Sequence, residues 1–224
     1  MTTPRAQTLS VLRHPDVLRF VSARFLATLA AQIQLRNNRR LQAAMRSSRL
    51  PVVKQLGDDS VRMLSYNGSI PGPTLRVRQG SEVVVHVTND TDIEQTIHSH
   101  GVRVDNRSDG VPGVTQNSVP PGGTYIYTLK FRDAGAFWYH PHTRADYGQE
   151  LGLYGNYLVE PTAPGYWNPV NREIPLVIDD ILIEDGHIAE FYREFTNFAL
   201  LGRFGNTFLV NGQEDFELTA SRGE

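Results

Sequence analysis

The sequence has no cysteine among its 224 residues. This absence excludes disulfide bonds, thiolate metal sites and thiol nucleophiles, but it leaves the compartment open because many exported proteins also lack cysteine. A long hydrophobic run is missing as well: the uncharged stretch 25–35 contains Thr28, Gln32 and Gln34, and a spanning helix needs about 20 apolar residues. The hydrophobic content of 40% is ample for a packed core, so we expect a globular protein.

Acidic residues are scarce at one end of the chain. Residues 1–50 hold nine arginines and one acid, Asp16, whereas residues 51–224 hold 13 of the 22 basic and 23 of the 24 acidic side chains. Such an asymmetry is typical of an appended basic segment. Apolar side chains recur at every fourth position there, at Val17, Val21, Phe25, Leu29 and Ile33. This spacing predicts a helix, and residues 1–50 are therefore expected to form a basic helical extension.

Several functions remain open for this extension. It could be a membrane-surface helix that makes weak contact through residues 14–35, a degenerate export signal or a transit-like segment. We favour a solvated extension that packs weakly on the rest of the chain. A nucleic-acid partner is not expected, because the arginines are interleaved with only two aromatic platforms, Phe20 and Phe25.

Beyond residue 50 the pattern changes to short alternating segments separated by glycine and proline. TLRVRQG, SEVVVHVTND and YIYTLKF are the clearest examples, and they predict an all-β fold. A joint rich in proline and glycine, residues 161–169, divides this part of the chain. We therefore expect an antiparallel β-sandwich over 51–163 and an incomplete second β domain over 170–224.

Four of the seven histidines stand in two His-x-His pairs, His98 with His100 and His140 with His142. In a strand, residues i and i+2 point to the same face, so two such strands can bring four imidazoles together. Imidazole suits copper, zinc, iron or nickel. A single pair is more often an ordinary exposed or core pair than a metal site, but two pairs in one domain favour metal binding. His14, His86 and His187 stand alone, and we expect structural roles for them.

The sequence around these histidines resembles the multicopper oxidases, the laccase-like family built from cupredoxin domains. The stretches that carry the resemblance are YNGSIPGPTLRVRQG, HSHGVRVDNRSDGVPGVTQ, VPPGGTYIYTLKF, AGAFWYHPH, GLYGNYLVEP and, further on, ALLGRFGNTFLVNGQ. The resemblance implies a cupredoxin-like Greek-key β-sandwich followed by part of a second cupredoxin domain. It also implies copper as the cofactor, dioxygen and a reducing substrate as partners, and a periplasmic or extracytoplasmic location.

Individual residues take roles from the same resemblance. His98 would bind the type 2 copper, and His100, His140 and His142 would bind the coupled type 3 pair of the trinuclear cluster that reduces dioxygen to water. Asp109 matches a carboxylate that delivers protons during this reduction, although an aspartate before a glycine is also ordinary turn chemistry. Ser99 departs from the family, which usually has an aromatic residue there. Trp138 and Tyr139 are assigned to core packing.

The family places its other four cluster ligands and the thiolate site of its blue type 1 copper in a C-terminal domain, for which this chain has no counterpart. Two hypotheses follow. The chain is the N-terminal part of a multicopper oxidase, inactive alone unless another chain or a second copy completes the cluster. Alternatively, it is a non-catalytic module that binds copper or zinc through its histidine pairs. The identity of the reducing substrate is left open.

Overall fold

The computed structural model describes residues 32–34, 40–191 and 202–223. Its strands are, in chain order, β1 (Gln32–Gln34), β2 (Arg40–Leu56), β3 (Asp59–Tyr66), β4 (Thr74–Arg78), β5 (Glu82–Asn89), β6 (His98–His100), β7 (Thr124–Lys130), β8 (Gly135–His140), β9 (Gly155–Glu160), β10 (Ile178–Ile181), β11 (Ile183–Glu184), β12 (His187–Ile188) and β13 (Thr207–Val210). The helical elements of this part are a 3-10 helix, Asn106–Ser108, and a short α-helix, α1, Ala145–Glu150.

Two sheets pack face to face around the main core. One has the strand order β1-β4-β9-β8-β6 and the other has the order β3-β2-β5-β7. Alternate side chains of both sheets fill the space between them, among them Leu75, Val77, Val83, Val85, Val87, Leu129, Tyr157 and Val159. The all-β sandwich predicted from the alternating segments is confirmed, because those segments bury one face each.

The strand pairing differs from the purely antiparallel sandwich that we expected. β4 lies parallel to both β1 and β9, and β2 lies parallel to β5. The remaining pairs of the sandwich are antiparallel. Parallel pairs need long connections rather than tight turns, and here Leu41 pairs with Val83 and Leu75 pairs with Tyr157. The sheets are therefore mixed, because strands distant in sequence lie side by side.

The predicted helical extension over 1–50 is wrong for residues 40–50, which belong to the sandwich. They form the first part of β2, a strand flanked by β3 and β5. Leu41, Ala43 and Met45 are buried in the main core, and the residues between them are exposed. A period of two predicts a strand. It was overlooked because the high arginine content grouped these residues with the basic segment. Arg46 lies on the exposed side and pairs with Asp90 at 2.6 Å.

Most of the predicted N-terminal helix, with most of the segment 14–35, lies outside the described residues. The three described residues of that region, Gln32–Gln34, form β1 rather than a helix, and Ile33 pairs with Leu75 of β4. Among the described residues, no helix is long and apolar enough to span a membrane.

The residues after the sandwich pack against it through a second core. β10 pairs with β13, and β11 pairs with β12, both antiparallel. Their buried side chains meet those of β2 and β3 in a cluster that includes Leu56, Val61, Met63, Ile181, Ile183 and Leu209. The connection 162–174, which contains most of the predicted joint, is exposed. The division into domains 51–163 and 170–224 stays a prediction.

Candidate metal centre

The strands β6 and β8 lie together at one edge of the five-stranded sheet. Their antiparallel register forms three cross-strand pairs, His98–His140, Ser99–Tyr139 and His100–Trp138. Since side chains alternate between the two faces of a strand, the first and third pairs share one face. The middle pair is buried beneath them. The sheet thus presents three histidines and one tryptophan side by side.

The fourth histidine joins this group from beyond the strand. His142 follows Pro141, and its backbone N–H donates to Thr96 Oγ1 at 3.1 Å. The ring centre of His98 lies 4.8 Å from that of His100, 5.8 Å from that of His140 and 5.1 Å from that of His142. The structure therefore brings together all four histidines that the sequence singled out. Their roles as ligands stay a prediction.

Hydrogen bonds fix which ring nitrogens carry lone pairs. His98 Nδ1 lies 2.5 Å from the Asp109 carbonyl oxygen, and His140 Nδ1 lies 2.7 Å from the Pro141 carbonyl oxygen. A carbonyl can only accept, so both Nδ1 atoms hold a proton, and in the neutral imidazole each Nε2 keeps a lone pair. His100 Nε2 lies 2.9 Å from His140 Nε2, so these two nitrogens face each other.

Burial keeps part of this group neutral. The pKa of His140 is lowered to about 4, mainly by burial and also by His100, His98 and His142, against the opposing effect of the Pro141 carbonyl. The pKa of His100 is lowered by the same kind of desolvation and by His98 and His142, while Asp109 opposes the shift. Because only a neutral imidazole can bind a metal ion, both side chains are in the ligating form at neutral pH.

The aromatic residues of AGAFWYH have two different roles. Tyr139 is fully buried and donates its hydroxyl to the Pro73 carbonyl at 2.8 Å, as the packing assignment predicts. Trp138 instead lies on the histidine face and stacks on His100 and His140, with ring centres 4.5 Å apart in both cases. Its assignment to the core is therefore wrong. It shields one side of the imidazole group.

Ser99 occupies the buried position between the first two histidines. Its hydroxyl lies 3.0 Å from the Tyr157 hydroxyl, and both side chains are buried. The serine thus gives the buried phenol of Tyr157 a polar partner. The histidine face above it retains all four imidazoles.

Asp109 lies beside His98 and at a turn at the same time. Its carboxylate Oδ1 is 3.4 Å from His98 Nδ1. It also ends the 3-10 helix and precedes Gly110, whose φ of 74° lies in the left-handed region. The same turn brings the Asp109 carboxylate to the imidazole. A role as an ordinary turn residue and the predicted role in proton delivery are therefore compatible.

The isolated histidines stay apart from this group. His86 is exposed on β5 and its Nε2 lies 2.7 Å from Gln42 Oε1. His187 pairs with Glu184 in the β11–β12 hairpin. His14 lies outside the described residues. Thr96, which holds His142, was not singled out from the sequence, because a side-chain contact across 46 positions leaves no local signal.

The donor set fits a metal ion, but only in part. The Nε2 atoms of His100 and His140 lie 2.9 Å apart, close enough that one metal ion could bind both. Within the described ranges, no three histidine, aspartate or glutamate side chains converge on a single metal position. Neutral imidazole nitrogens such as those of His100 and His140 suit copper among other metals.

Comparison with known proteins identifies relatives of this chain. A family model described as "Multicopper oxidase" matches residues 51–164. Oxidoreductase OpS5 of Beauveria bassiana (strain ARSEF 2860) is 45% identical over 58% of this chain and 21% of its own length. Copper resistance protein A of Pseudomonas syringae pv. tomato is 37% identical over 52% of this chain and 19% of its own length. The chain therefore spans about a fifth of these relatives.

A solved structure agrees in fold. The multi-copper oxidase from Pseudomonas Thermotolerans has a TM-score of 0.70 and 32% identity over 78% of this chain and 42% of its own. The family model covers both histidine pairs and the strands that carry them. By this match and by its sandwich fold, the chain belongs to the multicopper oxidase family.

Proposed function

We propose that this chain supplies half of the ligands of the trinuclear copper cluster of a laccase-like multicopper oxidase. His98 would bind the type 2 copper, and His100, His140 and His142 would bind the type 3 pair. The observation that carries this proposal is the gathering of two His-x-His pairs at one sheet edge, with the Nε2 atoms of His100 and His140 2.9 Å apart. Membership of the family supports copper as the metal.

Copper held at this face would supply the one-electron chemistry that reduces dioxygen to water at the expense of a reducing substrate. The protein's part is to hold and orient the nitrogens. The carbonyls of Asp109 and Pro141 keep the protons of His98 and His140 on Nδ1, which leaves the Nε2 lone pairs for metal. Trp138 covers one face of His100 and His140 and excludes water there.

Asp109 is proposed to hold a proton near the cluster. Its carboxylate lies 3.4 Å from the His98 imidazole and is partly exposed, so it can exchange protons with solvent on one side and with the site on the other. These are the requirements for a general acid that delivers protons to a reacting oxygen. Replacing Asp109 with asparagine tests this role through the rate of oxygen uptake once a C-terminal domain from a relative completes the cluster, because the amide keeps the shape of the side chain and cannot carry the proton.

The 224 residues by themselves are proposed to bind copper without oxidase turnover. They include no cysteine, and a blue type 1 site requires a thiolate. His100 and His142 are exposed, so the ligand face is open to a second set of ligands from another domain or another copy of this chain. The reducing substrate would be selected by that second part, and an extracytoplasmic location is proposed by resemblance.

A copper titration of the purified chain, followed by an oxygen-electrode assay with ferrous iron or a phenolic dye, tests this proposal. The matched variants are H98A/H140A, which removes two site imidazoles, and H86A/H187A, which removes two isolated ones. We expect the wild type and H86A/H187A to retain copper and H98A/H140A to lose it, with no oxygen uptake by any of them. Retention of copper by H98A/H140A would contradict a metal site at the histidine pairs.

Two other outcomes separate the remaining alternatives. Oxygen uptake that depends on His98 and His140 would contradict inactivity of the isolated chain and point to assembly of two half-sites. Equal retention of zinc and copper without any uptake, even after addition of a C-terminal domain from a relative, would favour the non-catalytic module.

A further inference from the structure

The orientation of His98 depends on a backbone atom rather than on a side chain. His98 Nδ1 lies 2.5 Å from the carbonyl oxygen of Asp109 and 3.4 Å from its carboxylate. The shorter contact is with the main chain, and it determines which imidazole nitrogen carries the proton. Whatever holds the Asp109 carbonyl in place therefore also aims the Nε2 lone pair of His98.

Two hydrogen bonds fasten the residues before Asp109 to β7. The Tyr125 hydroxyl donates to the Arg107 carbonyl at 2.8 Å, and the Thr128 N–H donates to Ser108 Oγ at 3.1 Å. Ser108 is only 3% exposed. β7 is the outer strand of its sheet, so these contacts satisfy edge groups of β7 and at the same time fix the 3-10 helix on it.

β7 also holds the strand that carries His98. The Ile97 N–H donates to the buried hydroxyl of Tyr127 at 2.9 Å. Ile97, which precedes His98, and the loop that carries Asp109 are thus both anchored to β7. This shared anchor sets the distance between the His98 ring and the Asp109 carbonyl.

On the other side of Asp109, Gly110 lets the loop touch the backbone of β6 directly. A Cβ at this position would lie 2.0 Å from the Ile97 carbonyl oxygen and 3.0 Å from the His98 nitrogen. Both atoms belong to the main chain, so moving them would displace closely packed backbone and cost free energy. A side chain here must push the loop, and with it the Asp109 carbonyl, away from His98.

We propose that Ser108, Gly110 and Tyr125 are positioning residues that clamp the Asp109 carbonyl against His98 and thereby fix the tautomer and direction of this imidazole. The clamp acts through the main chain, so it is independent of the proton-delivery role of the Asp109 carboxylate. Its importance for copper rests on the proposed function, in which His98 is a ligand. The tautomer itself can be observed without metal.

The matched test compares G110A with G113A. Gly110 and Gly113 have φ values of 74° and 73°, so alanine costs similar backbone strain at both. A Cβ at Gly113 meets nothing within 4 Å, so only G110A displaces the loop from β6. The readout is the two-bond ¹H–¹⁵N spectrum of the metal-free protein at about pH 8, where an ordinary imidazole is neutral.

We expect His98 to be protonated on Nδ1 in the wild type, in G113A and in D109N, and to become a mixture of tautomers in G110A. Copper affinity of G110A should fall by about tenfold or more relative to G113A, the range typical for partners of metal-bound histidines. A G110A spectrum with His98 still on Nδ1, as in G113A, would overturn the clamp. If G110A shifts the His98 tautomer but the wild-type chain binds no copper, the clamp is supported and the proposed function is contradicted.

If G110A does not fold, the hydrogen-bond variants S108A and Y125F provide the same test. S47A is the control, because Ser47 is also a buried serine but donates to Thr88 and Asn89 at the end of β5. We expect S108A and Y125F to mix the His98 tautomers while S47A leaves them unchanged. A His98 signal that is the same in all three variants contradicts the proposal.

Discussion

Trp138 stacks on His100 across the β6–β8 pair, with ring centres 4.5 Å apart and planes inclined by 13°. It also stacks on His140, two residues along its own strand, at 4.5 Å and 19°. One indole thus covers two imidazoles that are proposed to bind copper. Its fluorescence should report directly on metal at this face.

The chain has two tryptophans, and the second, Trp167, lies in the exposed connection after the sandwich. Cu(II) quenches indole fluorescence at short range, so copper should quench Trp138 and leave Trp167 bright. We expect W167F to retain the quenching and W138F to lose most of it. If W138F is quenched as strongly as the wild type, copper binds elsewhere.

Replacement of Met45 tests whether residues 40–47 are part of the sandwich. Met45 is 1% exposed on β2, and a buried methionine replaced by alanine costs about 2–5 kcal/mol of unfolding free energy. Val53, on the same strand, is 60% exposed, and V53A should cost well under about 1 kcal/mol. Chemical denaturation of the two variants measures the difference. If M45A and V53A have the same unfolding free energy, residues 40–47 are not part of the sandwich core and belong to an appended extension.

The stability of the metal-free protein should fall in mild acid because of His140. Its folded pKa is about 4, below the value of about 6.5 expected in the unfolded chain. Between these two values the unfolded chain takes up a proton that the folded chain does not, so this contribution is complete above pH 6.5 and declines toward pH 4.

H140Q should therefore flatten the dependence of unfolding free energy on pH between 6.5 and 4. The control is H86Q, because His86 is exposed on β5 and lies outside the site. Urea midpoints measured in steps across this range provide the comparison. If H140Q and the wild type lose stability with the same slope, the low pKa of His140 is contradicted.

The Ser99–Tyr157 contact should be a coupled pair beneath the site. S99A leaves the buried Tyr157 hydroxyl without the partner 3.0 Å away, and an orphaned buried group costs about 1–3 kcal/mol. Y157F in the same background removes the orphan and should recover part of the loss. A double-mutant cycle in chemical denaturation measures the coupling, and additive losses would show that the contact contributes nothing.

The gathering of the four histidines was predictable because it depends on short-range rules. Two His-x-His pairs on strands predict imidazoles on shared faces, and His98, His100, His140 and His142 do come together. Alternation likewise predicted the strands on either side of Gly80. These features need only the period of two and the turn residues between strands.

Other features depend on contacts between distant residues. β2 was missed because residues 40–47 alternate for only a short stretch next to a helical pattern, and their partner β5 lies about forty residues away. The exposure of Trp138 follows from the register of β6 against β8, which no local pattern reveals. The Asp109 carbonyl is a main-chain group, so its contact with His98 leaves no mark in the residue types.

X-ray absorption at the copper K edge of the copper-loaded chain identifies the atoms that bind the metal, and so decides whether the histidine pairs hold copper. We expect nitrogen or oxygen neighbours at about 2.0 Å, multiple scattering from imidazole rings and no sulfur. This pattern should persist in H86A/H187A and disappear with the bound copper in H98A/H140A. Copper that stays bound to H98A/H140A with an unchanged imidazole pattern would show that it binds outside the histidine pairs.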